Sequence, residues 1–294
     1  MRHGIPISGK DSLTTAIVQR ERQPDLDYEY FYNETGAELP DTALWLLKAE
    51  TYLNKPILRI GDNLEDIIQF NGILPSIKVR FCTRESKIEP MENHFSTDDV
   101  TVYYGLRADE PQRVGYERRK KKGAGANIIA SYPLREEGYT LSMVWARLAE
   151  IDLLPPSYFW QHVYDRVVIK LDTYAPMLDT LKPWEHRQLF AWRSRDNCYF
   201  CFNQRLYEWV GLFDTYPDLF WYAVEIEETT GAKDFTFNSA KSLRTIADEA
   251  ERIREKRVDA IVKMVTGHNN ISMFQDEGTF TLLDTISCGL LCGK

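Results

Sequence analysis

The amino-acid sequence predicts an α/β fold: a doubly wound, mostly parallel sheet over residues 1–135, followed by a helical, cysteine-bearing region over residues 136–294. Three observations predict it. In the first part, short apolar or aromatic runs alternate with segments of helical periodicity, which is the pattern of βαβ units. From residue 141 onward the periodicity is helical. A chain of 294 residues, 44% of them apolar, also buries roughly three quarters of its unfolded surface and needs no disulfides.

The first predicted strand, residues 4–7, is apolar and ends at a glycine turn. A helix is predicted from residue 11 to about residue 20, because Asp11 and Ser12 are residue types that favour a helix start. An aromatic-rich run at residues 27–32 predicts the second strand.

The alternation of strands and helices continues to residue 106. Apolar residues on one face, including Leu46 and Leu47, predict a helix after Pro40. The predicted elements of this part are a helix at 40–53, a strand at 56–60, a helix at 64–70 and a strand at 101–106.

The second part has helical patterns separated by prolines, among them Pro155, Pro156 and Pro217. The predicted helices are at 141–151, 158–164, 184–192, 206–213, 219–227 and, as one long polar helix, 239–265. Residues 268–294 have no clear period.

Charge and hydropathy exclude several classes of protein. The formal net charge is −8, which argues against a nonspecific nucleic-acid coat but not against a local basic patch. The ordinary composition excludes disordered and collagenous chains. No window reaches the ~18 uninterrupted apolar residues of a membrane helix, and the first residues lack the apolar core of a signal peptide. We therefore expect a cytoplasmic protein without a membrane partner.

Residues 8–12 read Ser-Gly-Lys-Asp-Ser at the predicted turn from strand to helix. Phosphate binding needs backbone N–H groups at a helix start, a glycine such as Gly9 for close approach, and a cation such as Lys10. A plain helix start capped by Asp11 or Ser12 would use the same residue types. The phosphate loop of nucleoside triphosphatases is not present, because its spacer and its Gly-Lys-Ser/Thr ending are missing.

This segment resembles the pyrophosphate-binding loop of the adenine-nucleotide alpha-hydrolase superfamily, and within it the chain resembles the phosphoadenosine phosphosulfate (PAPS) reductase family. The family loop reads Ser-Gly-Gly-Lys-Asp-Ser; this chain has Ser8 in place of the first glycine and Glu34 in place of an aspartate in the next segment. The later segments that resemble the family, in order, are 34–38 (Glu-Thr-Gly-Ala-Glu), 80–90 (Arg-Phe-Cys-Thr…Lys-Ile-Glu-Pro), 104–113 (Tyr-Gly-Leu-Arg-Ala-Asp-Glu…Arg), 132–145 (Tyr-Pro-Leu…Trp) and 198–201 (Cys-Tyr-Phe-Cys).

The resemblance implies an adenine nucleotide as ligand, either ATP with Mg²⁺ or a sulfonucleotide. It implies nucleotide binding by Ser8, Gly9, Lys10, Asp11, Ser12, Thr35, Gly36 and Glu38, and catalysis by Lys10, Arg107 and Arg113. Three functions stay open: ATP pyrophosphatase-type adenylation or sulfur transfer, thiol-dependent sulfonucleotide reduction, and a non-catalytic nucleotide- or DNA-binding component of a DNA-modification or phage-defence assembly.

A basic run, residues 113–122, contrasts with the acidic chain; it contains Arg113, Arg118, Arg119, Lys120, Lys121 and Lys122. One interpretation is a solvated loop. Another is a lid over an anionic substrate, in which guanidinium groups bind phosphate or sulfate bidentately. A third is a salt-dependent contact with nucleic acid or a partner protein.

Four of the five cysteines form two close pairs, Cys198 with Cys201 and Cys288 with Cys292. Four thiolates can hold zinc or a 4Fe–4S cluster, and spacing does not separate the two. The alternative is two unrelated pairs of buried thiols. The resemblance favours 4Fe–4S, because the superfamily includes cluster-bearing reductases, transfer-RNA thiolation enzymes and a DNA phosphorothioation protein.

Cys288, the first cysteine of the second pair, has a second interpretation. PAPS reductases end in Glu-Cys-Gly-Leu-His, whose cysteine attacks the sulfonate, and Cys288-Gly-Leu matches the core of that tail without its flanking Glu and His. Cys288 is therefore either a ligand or a nucleophile. Cys82 is either a buried thiol beside the nucleotide or a sulfur carrier.

Overall fold

A computed structural model describes residues 1–116, 127–156, 158–196, 198–230 and 235–266. The described chain divides into two compact units. The first contains Met1–Asn71 and Lys78–Pro156, and the second contains Gly72–Ile77 and the described residues between 158 and 266. The first unit thus extends past residue 135, where the sequence placed the end of the nucleotide-binding core.

The first unit is built on a five-stranded parallel sheet, as the alternating sequence pattern predicts. Its strands lie in the order β3-β2-β1-β4-β5 and every neighbouring pair is parallel. The strands are β1 (Arg2–Pro6), β2 (Tyr28–Asn33), β3 (Ile57–Ile60), β4 (Val100–Tyr103) and β5 (Ile128–Ser131). Four of them were predicted; β5 was missed because it is four residues long and only its first residue is buried.

Helices connect the strands of the first unit. They are α1 (Lys10–Arg22), α2 (Pro40–Leu53), α3 (Leu64–Asn71), α4 (Phe81–Thr83), α5 (Glu89–His94), α6 (Pro133–Glu136) and α7 (Leu141–Glu150). A π-helical turn, Arg84–Ile88, lies between α4 and α5. The sequence predicted α1, α2, α3 and α7 but not the helical stretch from 81 to 94.

Successive side chains of the strands belong alternately to two apolar clusters. Tyr30 and Tyr32 of β2 belong to a cluster with α1, α2 and α7, whereas Phe31, between them, belongs to a cluster with α5. Because successive side chains of a strand point to opposite faces, both faces of the sheet are covered by helices. This arrangement is compatible with the predicted doubly wound sheet.

The second unit is mainly helical. Its helices are α8 (Gln161–Leu171), α9 (Pro183–Leu189), α10 (Leu206–Thr215), α11 (Pro217–Thr229), α12 (Leu243–Asp248) and α13 (Ala250–Thr266), with a 3-10 helix at Asp172–Thr180. Within the described ranges, no helix has both the length and the apolar character needed to cross a membrane.

Two predicted helices of this unit need correction. The helix predicted at 158–164 begins only at Gln161, because Phe159 forms a bridge with Ala191. The helix predicted at 239–265 is two helices that meet at Glu249. Ser242 starts the first of these by accepting a hydrogen bond from the Thr245 N–H at 3.2 Å, and the apolar period runs on across the break.

Candidate functional site

The sheet order reverses between β1, the central strand, and its neighbour β4. In an open parallel sheet, the loops after two such strands diverge and leave a crevice at the carboxyl edge, where ligands of α/β proteins bind. The loop after β1 is the Ser8–Ser12 segment, and the loop after β4 carries Gly105 and Arg107. The candidate site is therefore built from these two loops.

The loop after β1 is closed by its own serine. The Ser12 hydroxyl accepts a hydrogen bond from the Ser8 N–H at 2.8 Å and donates one to the Gly9 carbonyl at 2.9 Å. Gly9 has φ 156° and ψ −168°, a combination that is essentially restricted to glycine. The backbone of the loop thus explains why a glycine occupies position 9.

Helix α1 begins at Lys10 with its first turn uncapped by any side chain of the described chain. Asp11 and Ser12, which the sequence offered as helix-start residues, lie inside the first turn instead. The N–H groups of a first helical turn have no intrahelical acceptor, and the helix dipole adds positive potential there. This end of α1 is suited to an anion.

The two loops are in direct contact through Gly105. A Cβ atom at this position would lie 2.8 Å from the Asp11 carbonyl carbon and 2.8 Å from the Ser12 nitrogen. Any larger residue would have to displace the backbone at the start of α1. Gly105 therefore fixes the distance between the loop after β4 and the loop after β1.

Arg107, two residues after Gly105 in the same loop, is buried, with 5% of its surface exposed. Its guanidinium donates to Asp11 Oδ1 at 2.8 Å and to Asp109 Oδ1 at 2.8 Å, and lies 3.5 Å from Glu110 Oε1. Three carboxylates from two loops thus surround one cation. The Arg107 guanidinium, to which the family resemblance assigns a catalytic role, therefore joins the two loops through ion pairs.

These ion pairs shift the pKa values of both partners. Burial alone would raise the pKa of Asp11, but Lys10, Arg107 and Arg113 together lower it to about 2. Burial alone would lower the pKa of Arg107, and the carboxylates of Asp11 and its neighbours raise it instead. Asp11 is therefore ionised at neutral pH and acts as the fixed counter-ion of the loop.

Lys10 and Arg113 are the cations of the site with accessible surface. Lys10 Nζ lies 3.3 Å from Asp11 Oδ2. Arg113 binds Glu110 with one nitrogen, at 3.0 and 2.9 Å from the two carboxylate oxygens, and its side chain is 38% exposed. Arg135 supports this loop by donating to the Glu110 carbonyl at 2.9 Å. These two cations can reach an anion without breaking the core of the site.

The loop after β2 is held by Glu38. Its Oε1 atom accepts hydrogen bonds from the Thr35 N–H at 2.8 Å and from the Thr35 hydroxyl at 2.6 Å. Gly36, between them, has φ +73°, in the left-handed region that favours glycine. Because all strands are parallel, this loop shares the carboxyl edge with the Ser8–Ser12 loop, as the predicted nucleotide site requires.

Cys82 lies in the helical stretch after residue 80 and is partly exposed. Its Sγ atom is 3.9 Å from Thr83 Oγ1, and its carbonyl accepts a hydrogen bond from the Ser86 hydroxyl at 2.5 Å. The Asn33 side chain donates to the Lys87 carbonyl at 3.3 Å, which ties this stretch to the end of β2.

The first cysteine pair forms a tight turn in the second unit. The Cys201 N–H donates to the Cys198 carbonyl at 3.1 Å, and the same carbonyl accepts from the buried Arg193 guanidinium at 3.1 Å. Gln204 holds the middle of the turn by donating to the Tyr199 carbonyl at 2.6 Å. Two thiols at this spacing on a fixed turn suit half of a tetrahedral metal site.

The other half of the predicted metal site lies outside the described residues, since Cys288 and Cys292 belong to 267–294. The cations from Arg118 to Lys122 also lie outside them. In the part of the chain that is described, no three or more His, Cys, Asp or Glu side chains form a group that could hold a metal ion.

Sequence reasoning did not assign roles to Asp109 and Glu110. Asp109 accepts from Arg107 with one oxygen and from the Leu141 N–H with the other, at 3.0 Å, and so joins the site to the start of α7. Both acids lie within the 104–113 segment. The family resemblance of that segment is the sequence signal that could have identified them.

Comparison with known proteins gives no family: no family model matches the chain. No curated protein matches it either.

Proposed function

We propose that the first unit binds the phosphates of an adenine nucleotide at the Ser8–Ser12 loop and uses it in an ATP pyrophosphatase-type adenylation. The observation that carries this proposal is the uncapped first turn of α1, preceded by a glycine-restricted backbone, at the reversal point of the sheet. The fold would then be that of the adenine-nucleotide alpha-hydrolases, which the sequence segments resemble.

The phosphate contacts divide among three kinds of group. The first-turn N–H groups of α1 and the Lys10 ammonium would bind the terminal phosphates. Arg113 would exchange part of its contact with Glu110 for a phosphate oxygen, since it is the more exposed guanidinium of the site. Arg107 would act as a positioning residue, because its donors already serve Asp11 and Asp109.

In the adenylation, an acceptor oxygen attacks the α-phosphorus. The new P–O bond forms as the bond to the β-phosphate bridging oxygen breaks, and pyrophosphate leaves with the electron pair. Lys10 and the helix N-terminus would stabilise the charge that develops on the leaving group. Mg²⁺, when bound with the nucleotide, would neutralise phosphate charge. Each carboxylate oxygen of Asp11 already has a cationic neighbour. The phosphates would therefore supply most of the ligands of Mg²⁺.

Sulfonucleotide reduction is the second candidate, and the partly exposed Cys82 beside the end of β2 favours it. A thiolate would attack the sulfonate sulfur, form an S–S bond and release the adenine nucleotide. A second thiol would then release sulfite and leave a disulfide. Cys288 is the alternative nucleophile that the family resemblance suggests.

The cysteine turn of the second unit would supply two ligands of the associated metal centre. Cys198 and Cys201 fit such a site because their turn is held by Arg193 and Gln204; Cys288 and Cys292 would complete it. Zinc would give a structural centre and 4Fe–4S a redox-active one. Metal analysis and an absorbance spectrum of protein purified without oxygen separate the two, and a Cys198→Ser variant should lose the metal.

One pair of assays tests the two reactions. Purified protein is incubated with ATP and Mg²⁺, or with a sulfonucleotide and a thiol donor, and pyrophosphate and sulfite are measured. Pyrophosphate release supports adenylation, and sulfite release supports reduction. Neither product, with retained nucleotide binding, would favour the non-catalytic component, for which a salt-titrated DNA-binding assay is the next measurement.

Loss of nucleotide binding in a lysine variant tests the site itself. We expect Lys10→Ala to weaken ATP binding by at least tenfold while the unfolding temperature stays close to that of the parent, because Lys10 is partly exposed. Lys48→Ala, which removes an exposed lysine of α2, is the matched control. Equal ATP affinity of the two variants would refute the site.

A further inference from the structure

Helix α13 of the second unit carries Arg257, whose guanidinium interacts with the charge of Arg205 and, without forming an ion pair, with that of Glu208. Arg257 donates to the Leu189 carbonyl at 3.1 Å and lies 4.5 Å from the centre of the Tyr207 ring. Among the described residues, no carboxylate lies within the 4 Å of an ion pair with it. Most of its N–H donors are therefore available.

Two charged neighbours of opposite sign, Arg205 and Glu208, act on Arg257. Arg205 donates to the Tyr207 hydroxyl oxygen at 2.6 Å. Glu208 is buried, and its oxygens accept from the Ser194 N–H, the Ser194 hydroxyl and the Arg205 N–H at 2.8–2.9 Å. Burial lowers the pKa of Arg257 and outweighs the opposing effects of Tyr207 and Glu208, which raise it; the charge of Arg205 adds to the lowering.

Arg254, in the same helix, is an example of a guanidinium that is paired with carboxylates. Arg254 donates to both oxygens of Asp214, at 2.5 and 2.9 Å, and lies 3.0 Å from Glu251. Buried cations in proteins are normally paired in this way. Arg257 has no such carboxylate among the described residues. We therefore expect another anion to neutralise its charge.

Gln188 gives a second, independent indication. Both atoms of its side-chain amide are buried, and neither has a hydrogen-bond partner in the described chain. Gln188 directly precedes Leu189, whose carbonyl accepts from Arg257. Buried amides are usually hydrogen-bonded, so an acceptor from a ligand would satisfy Gln188 Nε2.

We propose that Arg257, Gln188 and the Tyr207 hydroxyl bind a tetrahedral oxyanion, phosphate or sulfate, in the second unit. With Arg257 and Arg205 positive and Glu208 negative, one positive charge remains for an oxyanion to neutralise. The guanidinium would bind two of its oxygens. The Tyr207 oxygen accepts from Arg205, so its own hydrogen is directed to another acceptor.

The proposed oxyanion site belongs to the second unit, whereas the nucleotide site belongs to the first. The test therefore uses the Lys10→Ala variant, in which anion binding at the nucleotide site is weakened. Binding of inorganic phosphate is measured by titration calorimetry at constant ionic strength in the Lys10→Ala background. We expect one phosphate per chain, at least tenfold weaker binding when Arg257→Met is added, and no change when Arg252→Met is added. Arg252 is the matched control because it is an exposed, ion-paired arginine of the same helix.

Replacing phosphate by sulfate in the same titration separates the two sources of the oxyanion. Similar affinities indicate a general tetrahedral dianion site, and a preference for phosphate indicates a phosphate ester as the natural ligand. A failed Lys10 prediction would leave the comparison of Arg257 and Arg252 variants unchanged, so the two proposals fail separately.

A second variant guards against a trivial loss of structure. Gln188→Leu removes an amide without partners in the described chain, so we expect an unfolding temperature equal to or above that of the parent, together with weaker phosphate binding. Arg257→Met should likewise not lower the unfolding temperature in phosphate-free buffer. Unchanged phosphate affinity in both variants, or no phosphate binding in the Lys10→Ala protein, would overturn the proposal.

Discussion

Gly9 determines whether the loop after β1 can form. Its backbone, φ 156° and ψ −168°, is available to glycine and costs other residues about 1–3 kcal/mol. A side chain at position 9 would disfavour the backbone that leads into the first turn of α1. The anion binding that we propose for this loop therefore depends on the absence of a side chain at this position.

We expect Gly9→Ala to abolish ATP binding and to lower the free energy of unfolding by about 1–3 kcal/mol. Gly72→Ala is the control, because Gly72 also has a positive φ, +63°, but with no atom within 4 Å of the added carbon. It should lose stability and keep ATP binding, as measured by calorimetry and urea unfolding. Equal binding by both variants would show that the loop tolerates a side chain.

Asp11 makes the stability of the folded protein depend on pH. Its pKa is lowered from 3.8 to about 2 in the folded protein, so its ion pairs stabilise the fold above pH 3.8 and this stabilisation is lost as the pH falls through 2. A shift of this size corresponds to about 2 kcal/mol. Burial opposes this shift, and the Coulomb attraction to Lys10, followed by that to Arg107, explains its sign.

We expect Asp11→Asn to be less stable than the parent by about 2 kcal/mol at pH 6, and by roughly half of that at pH 3. Urea unfolding at both pH values measures the difference. A difference that does not depend on pH would mean that Asp11 stabilises the loop by packing instead of by charge.

At the scale of elements, close backbone contact positions helices as well as loops. Gly211 in α10 faces Trp192, and a Cβ atom there would lie 2.3 Å from the Trp192 Cβ. Alanine favours a helix over glycine by roughly 0.5–1 kcal/mol, whereas overpacking a buried contact costs about 1–3 kcal/mol. The clash is the larger effect.

We therefore expect Gly211→Ala to lower the free energy of unfolding by about 1–2 kcal/mol. Thermal and urea unfolding followed by tryptophan fluorescence provide the measurement. A stabilised variant would show that α10 can move away from Trp192 without loss, and that helix propensity decides at this position.

The elements predicted from the sequence are those with a strong local period. The stretch from 81 to 94 was missed because Pro90 and a π-helical turn interrupt its pattern. The break at Glu249 was missed for the opposite reason, since the apolar period continues from α12 into α13. Backbone geometry at a helix junction depends on caps and local hydrogen bonds, which a hydrophobic period does not contain.

The candidate site was predictable to the extent that it lies in one segment. Gly9 and Lys10 follow from a local motif, and their place at the reversal of the sheet agrees with it. The position of Arg107 does not follow, because Asp11 and Arg107 come from loops that are far apart in the chain. Their pairing is decided by the strand order, which the sequence pattern did not give.

At the scale of the whole molecule, the chain has a net charge of −8, whereas we propose two local anion sites, one in each unit. Lys10 and the start of α1 form the first, and Arg257 with Tyr207 forms the second. Local geometry outweighs the net charge in both, because ion pairs and helix ends act over a few ångströms, within the Debye length of about 8 Å at physiological salt.

Hydrogen exchange of the whole protein, read by mass spectrometry, should show the two sites separately. ATP should slow exchange in peptides that contain residues 8–12 and 104–113, because the bound phosphates would occupy the first-turn N–H groups. Inorganic phosphate added to the Lys10→Ala protein should instead slow exchange in peptides around Gln188 and Arg257. The Arg252→Met variant should show both patterns. If phosphate protects only the first unit, the anion site of the second unit is wrong; if ATP protects only the second, the nucleotide site is wrong.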